Sequence, residues 1–228
     1  MTIFQFALIR SLRNKILLLL LYAVPLAMIF IRPLWTSENS MGFSFYAMII
    51  MFAAFSLVRS IMSDRITGTV VRIFAAPVTT LRYFFQSLCA FWLIISVQIF
   101  ILVTAGTVLY NWEVGMAVRL TFSYVIFTVT AIAFSLAWDS MFRSKMMSDS
   151  VFSIVTSFMA LLGGIFIPIA MLPDFLRNIG MVFPVYWVSK SLLSVQGQET
   201  SSNYWLSIFI MILFAAAFLL YGSKRRLE

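Results

Sequence analysis

Residues 83–112 read YFFQSLCAFWLIISVQIFILVTAGTVLYNW, thirty positions without one charged side chain. A helix needs about 20 apolar residues to cross the hydrocarbon core of a bilayer, with a range of roughly 17–25. The run is therefore a membrane span, long enough that it must tilt or continue past the lipid into Tyr110–Trp112. Cutting the rest of the chain at its charges gives five more runs of this kind. Ile16–Ile31 has 16 residues, Asn39–Val58 has 20, Leu120–Trp138 has 19, and Ser150–Pro173 and Thr200–Ser223 have 24 each. The first is short, but Lys15 and Arg32 can snorkel from its ends, and Pro25 inside it can kink it. Six spans follow, at about 16–35, 40–58, 83–110, 117–138, 150–172 and 203–222.

Composition agrees. Of 228 residues, 62% are hydrophobic and 11% charged, against roughly 45–50% and 25% in a soluble domain. Mean hydropathy is +1.01. An ordinary soluble globule and a disordered chain are both excluded. The expected fold class is an all-α integral membrane protein, one membrane domain over 1–228, with no stretch left for a soluble domain.

The basic excess has a place. With the N-terminus in the cytoplasm, the inner loops and ends carry twelve of the sixteen Lys and Arg residues: Arg10, Arg13, Lys15, Arg59, Arg65, Arg72, Arg82, Arg143, Lys145, Lys224, Arg225 and Arg226. Only Arg32, Arg119, Arg177 and Lys190 fall outside. The acids split evenly, so the whole net charge of +8 is cytoplasmic. The positive-inside rule then puts both termini in the cytoplasm. Topology and anionic lipid account for the charge, and nucleic acid is not needed. Arg10, Arg13 and Lys15 before an apolar stretch imitate a signal peptide, but no small-x-small site precedes Arg32, so the segment reads as an uncleaved first span. Residues 1–14 read as an interfacial amphipathic segment feeding it.

Much chemistry is missing. Histidine is absent and Cys89 is the single cysteine, which removes the commonest general base, a disulfide and a cysteine metal cluster. None of the eight acids falls inside a span, whereas proton-coupled carriers usually hold an ionisable group at membrane depth. No P-loop occurs. Any energy for active transport must come from another polypeptide. No metal site, catalytic residue or cofactor of the chain's own is expected.

The cytoplasmic loop 59–82 reads RSIMSDRITGTVVRIFAAPVTTLR. Taken as a short helix, residues 66–76 place Ile66, Val70, Ile73 and Phe74 on one apolar stripe. Arg65, Thr69, Arg72 and Ala76 lie opposite. Pro77 stops the helix, and Gly68 implies a bend or a later start at Thr69. Such a helix either lies on lipid headgroups or docks in a groove of a partner. The second inner loop, 139–149, is either a smaller contact with that partner or a charged turn.

Asp64-Arg65-Ile66-Thr67-Gly68-Thr69, with Pro77 eight residues on, resembles the coupling-loop signature of ABC-type (type 2) export permeases. Six spans, a basic N-terminal segment and a long last external loop are similar too. The chain departs from that pattern in having Asp64 for the commoner glutamate, and Val70 and Val71 where an acid often follows Gly-Thr. The resemblance implies a permease subunit without enzymatic activity. Residues 66–76 would be its coupling helix, seated in a cleft of a separate ABC ATPase subunit that carries the ATP and Mg. It also implies a second permease, identical or related, and residence in the plasma membrane of a bacterial cell. The cargo would be hydrophobic or amphipathic: a drug, peptide, lipid or glycolipid, exported by alternating access.

Two further groups of residues stand out. Ser153, Ser157, Ala160 and Gly164 recur at small-residue spacing along span 5, for a subunit interface, a pathway wall or internal packing. Pro168, Pro173, Pro184 and Trp187 mark the external segment 174–199, whose uncharged runs are too short to span; in the resembled family this region forms a re-entrant hairpin that closes the outer end of the pathway. Mild polar residues in the spans, among them Ser87, Ser96, Gln98, Thr104, Thr107, Thr121, Thr128, Thr130 and Thr156, either bond between helices or line a pathway. Other classes remain: an ATP-independent carrier or channel, a non-transporting assembly or immunity partner, and a lipid-metabolising enzyme, which lacks the convergent groups it would need.

Overall fold

The computed structural model describes residues 3–36, 41–66, 80–142 and 144–224. Among them every regular element is a helix. In chain order these are α1 (Ile3–Arg13), α2 (Lys15–Ile29), α3 (Pro33–Thr36), α4 (Met41–Ile66), α5 (Thr80–Tyr110), α6 (Val114–Asp139), α7 (Lys145–Leu162), α8 (Asp174–Gly180), α9 (Pro184–Val195) and α10 (Ser201–Lys224), with a 3₁₀ turn at Ile169–Met171.

Five of these, α4, α5, α6, α7 and α10, are long and apolar enough to cross a bilayer. The protein is a multi-pass membrane protein. A sixth crossing arises if α1 and α2 count as one broken span; they meet at 76°. The break is local chemistry. Asn14 accepts a hydrogen bond from the Leu17 backbone N–H at 3.2 Å, so it caps α2 and cannot continue α1. α2 alone has 15 residues, about 22 Å at 1.5 Å per residue, and is short for a hydrocarbon core of about 30 Å. α1 turns aside and packs against α5, where Gln86 Oε1 accepts from the Phe4 N–H at 3.4 Å.

The element bounds differ from the uncharged runs in instructive ways. α7 begins at Lys145 and stops at Leu162, ten residues short of 172, because Gly163 and Gly164 end it inside an apolar run. Gly164 has φ +84°, a conformation that favours glycine. A Cβ on Gly163 would lie 2.6 Å from Val185 Cγ1, so the same turn lets α9 approach. α4 continues to Ile66, two turns beyond Val58.

α6 is the central helix and packs against α4, α5, α9 and α10. Its sequence explains why. Ser123, Thr128, Thr130, Ala131, Ala133 and Ser135 are small and buried, which lets backbones come close where lipid supplies no hydrophobic drive between helices. The larger Tyr124 and Phe127 fill the space between and are fully buried. Buried hydroxyls and indoles tie neighbours together through backbone carbonyls. Tyr124 donates to Phe43 O at 2.9 Å, Thr130 to Met211 O at 2.9 Å, Trp92 Nε1 to Val125 O at 3.3 Å and Tyr22 to Ile94 O at 2.9 Å. At one end of the bundle Trp35, Phe43 and Trp112 form an aromatic knot with centroids 5.2–5.6 Å apart. The opposite end carries Arg59 and Asp149.

Candidate functional site

The Arg59 end brings together the base of the 59–82 loop and the start of α7. Asp64, Arg65 and Ile66 fall in the last turn of α4, so Ile66 ends a span helix rather than opening a new one. Gly68, Thr69, Val70, Ile73, Phe74 and Pro77 lie outside the described residues.

At the first position of this stretch, still within α4, Arg59 Nη2 donates to Asp149 Oδ2 at 2.5 Å. The two are ninety positions apart in the chain, and their side chains are 41% and 30% exposed. Residues 145–149 are not a turn; they form the first helical residues of α7. One turn further on, Phe152 is fully buried among four rings. It stacks on Phe55 at 3.6 Å and 6° and meets Phe52, Phe134 and Trp138 at 5.8–6.1 Å. Trp138 Nε1 in turn donates to Ser148 O at 3.3 Å. An ion pair and an aromatic cluster thus join α4, α6 and α7 next to the loop. Arg59 and Asp149 were visible in the sequence only as charges bounding spans, and Phe152 as one phenylalanine among 24.

The four small residues of span 5 separate. Ser153 and Ser157 are exposed, on a face of α7 with Ile154, Phe158 and Leu161. Their hydroxyls donate to Asp149 O at 3.0 Å and Ser153 O at 2.8 Å, so this face offers no unspent hydroxyl donor to lipid or partner. Ala160 is fully buried, and Gly164 lies beyond the helix in the turn already described. The marked residues of 168–187 are helix starters. Pro168 precedes the 3₁₀ turn, Pro173 caps α8, and Pro184 opens α9, where its missing N–H leaves no donor unmet. Trp187 Nε1 donates to Met181 O at 2.8 Å and closes the α8–α9 connection. α8 is peripheral, with Phe175 exposed. α9 is not: Val185, Tyr186, Val188, Ser191 and Leu192 are buried against α6 and α10.

The mild polar residues sort by position. Ser87, Thr128, Thr130 and Thr156 are buried and bonded to carbonyls. Thr104, Thr107 and Thr121 line a surface hollow between α5 and α6. Among the described residues no cluster of three or more Cys, Asp or Glu side chains could hold a metal ion.

A family model described as "ABC-2 family transporter protein" matches residues 36–224, which is most of the chain and takes in every long helix from α4 to α10. The chain belongs to the ABC-2 transporter family. It is therefore a membrane-spanning permease subunit of an ABC transporter, and the matched region of this ABC-2 permease includes both the loop after α4 and the Arg59–Asp149 contact beside it. ABC-2 permeases are transport subunits that associate with ABC ATPases. No curated protein matched the chain.

Proposed function

We propose that this ABC-2 permease is the membrane half of an ATP-driven exporter and that the 59–82 loop is where a separate ATPase pushes on it. Residues 66–76 would form the coupling helix, with Ile66, Val70, Ile73 and Phe74 in an apolar cleft of the ATPase. ATP and Mg would be held by that partner. The Arg59 end would face the cytoplasm, as the positive-inside count requires.

The observation that carries this reading is the Arg59–Asp149 ion pair, backed by the Phe55–Phe152 stack. It gives the loop a mechanical path to α7. ATP-driven closure of the partner would move the end of α4, and α7 would follow. The exposed Ser153–Ser157 face of α7 would be where a second permease packs or where the pathway opens between two copies. α8 and α9 would close the outer end. A cargo that enters such a pathway must tolerate an apolar lining, so a hydrophobic or amphipathic molecule fits best.

The test is purification of the tagged chain in mild detergent, as wild type and with Ile73→Asp or Phe74→Asp. The expected result is an ABC ATPase subunit that co-purifies with wild type and is lost from both variants, while all three remain monodisperse. A wild-type complex without ATPase would overturn the reading and favour a passive carrier.

A further inference from the structure

Three surface hollows run into one another. The largest, about 600 Å³, lies between α5 and α6. It shares Phe100 and Thr104 with a hollow of about 570 Å³ that reaches Phe30. It shares Val118 and Phe122 with a third, of about 390 Å³, lined by Arg119, Ser194, Ser201, Tyr204 and Trp205. The first two are apolar and lie along membrane-spanning helices. The third lies where α9 ends and α10 begins; it too is mostly apolar, but its lining adds the cation Arg119 and the serines Ser194 and Ser201.

Two of the three threonines of the apolar part already spend their hydroxyl protons within their own helix. Thr107 donates to Val103 O at 2.9 Å and Thr121 to Ala117 O at 2.9 Å. With those protons spent and the rest of the lining apolar, an apolar occupant fits there with least loss. The third hollow adds a cation. Arg119 is exposed, and its guanidinium has no ion-pair partner among the described residues. Glu199, the nearest acid in sequence to α10, accepts instead from Asn203 Nδ2 at 2.8 Å. The backbone at Arg119 is fixed, since Tyr204 Oη donates to its carbonyl at 3.1 Å. Helical side chains lean toward the helix N-terminus, which carries the guanidinium toward the membrane surface at the Trp112 end. Trp205 packs edge-on against Phe122 at 6.2 Å and against Tyr204 at 5.3 Å. Aromatic side chains of this kind favour the headgroup level.

We infer that this surface holds one glycerophospholipid, its phosphate on Arg119 beside Ser201 and its acyl chains in the α5–α6 hollows. The site is amphipathic in the same order as the lipid, with the cation at the interface and the apolar trough below it. It lies on a different face from the proposed coupling path and stands whether or not that path is right. Given the proposed orientation, the lipid belongs to the outer leaflet.

The test uses the purified chain in detergent micelles with added palmitoyl-oleoyl phosphatidylglycerol, and native mass spectrometry to count retained lipid. Wild type is expected to keep one lipid. Arg119→Ala removes a charge-assisted phosphate contact and should lower retention about ten-fold. Thr104→Trp should do the same by filling the trough. Arg119→Lys should keep most of the retention. Arg177→Ala removes a cation that is already paired with Asp174 and should change nothing. Retention that survives either Arg119→Ala or Thr104→Trp, or a wild type that keeps no lipid, overturns the inference.

Discussion

At the residue scale two positions separate stability from coupling. Phe152 contacts four rings in the join of α4, α6 and α7. Removing it leaves a cavity that three packed helices cannot easily fill. Phe152→Ala should cost about 3–5 kcal/mol, read as a large drop in Tm in detergent, while Phe152→Leu should cost much less. Arg59 and Asp149 behave in the opposite way. Both are partly exposed, and such a pair contributes roughly 1 kcal/mol or less to stability. Arg59→Asp should therefore leave Tm nearly unchanged yet lower ATP-driven transport, and Asp149→Arg in the same chain should restore it. If the double swap stays as inactive as the single, the pair does not carry the movement. Neither residue was legible as a site. Their chemistry is ordinary, and only the fold brings them together across ninety positions of chain.

At the element scale, counting between charges sees a helix end only where a charge stands at it. α5 and α6 run from Thr80 to Tyr110 and from Val114 to Asp139, close to the bounds read from the runs. It failed to see the end of α7, because the turn at Gly163 and Gly164 is made of residues as uncharged as the helix. It also missed the break at Asn14, where one hydrogen-bonding side chain rather than a change of hydropathy ends a helix. That cap is testable. Asn14→Ala should cost about 1 kcal/mol at the start of α2 and raise hydrogen exchange at the Leu17 amide about five-fold, with exchange in α6 unaffected. Equal exchange in the variant would show that tertiary packing, not the cap, holds the corner.

At the scale of the whole molecule, the sequence carried the fold class, the family and the charge asymmetry, since these are sums over many residues. Which helix lies at the centre was not legible. α6 takes that place through small residues spread on several faces, and its hydropathy falls inside the range of the other long helices. The same holds for the mild polar side chains, which look alike in sequence; in the fold Ser87, Thr128 and Thr156 bond to carbonyls of their own helix, Thr130 reaches across to Met211, and Thr104, Thr107 and Thr121 line a surface trough. The central claim, that the 66–76 segment of this ABC-2 permease docks on an ATPase through its apolar stripe, is tested most directly by photo-crosslinking in intact cells. A photoreactive amino acid would replace Phe74 in one chain and Thr69, on the opposite face, in another, and the crosslinked protein would be identified by mass spectrometry. The account predicts a P-loop ATPase joined at position 74 and far less at position 69. Crosslinks to lipid alone at position 74, or equal capture of the ATPase from both faces, would contradict it.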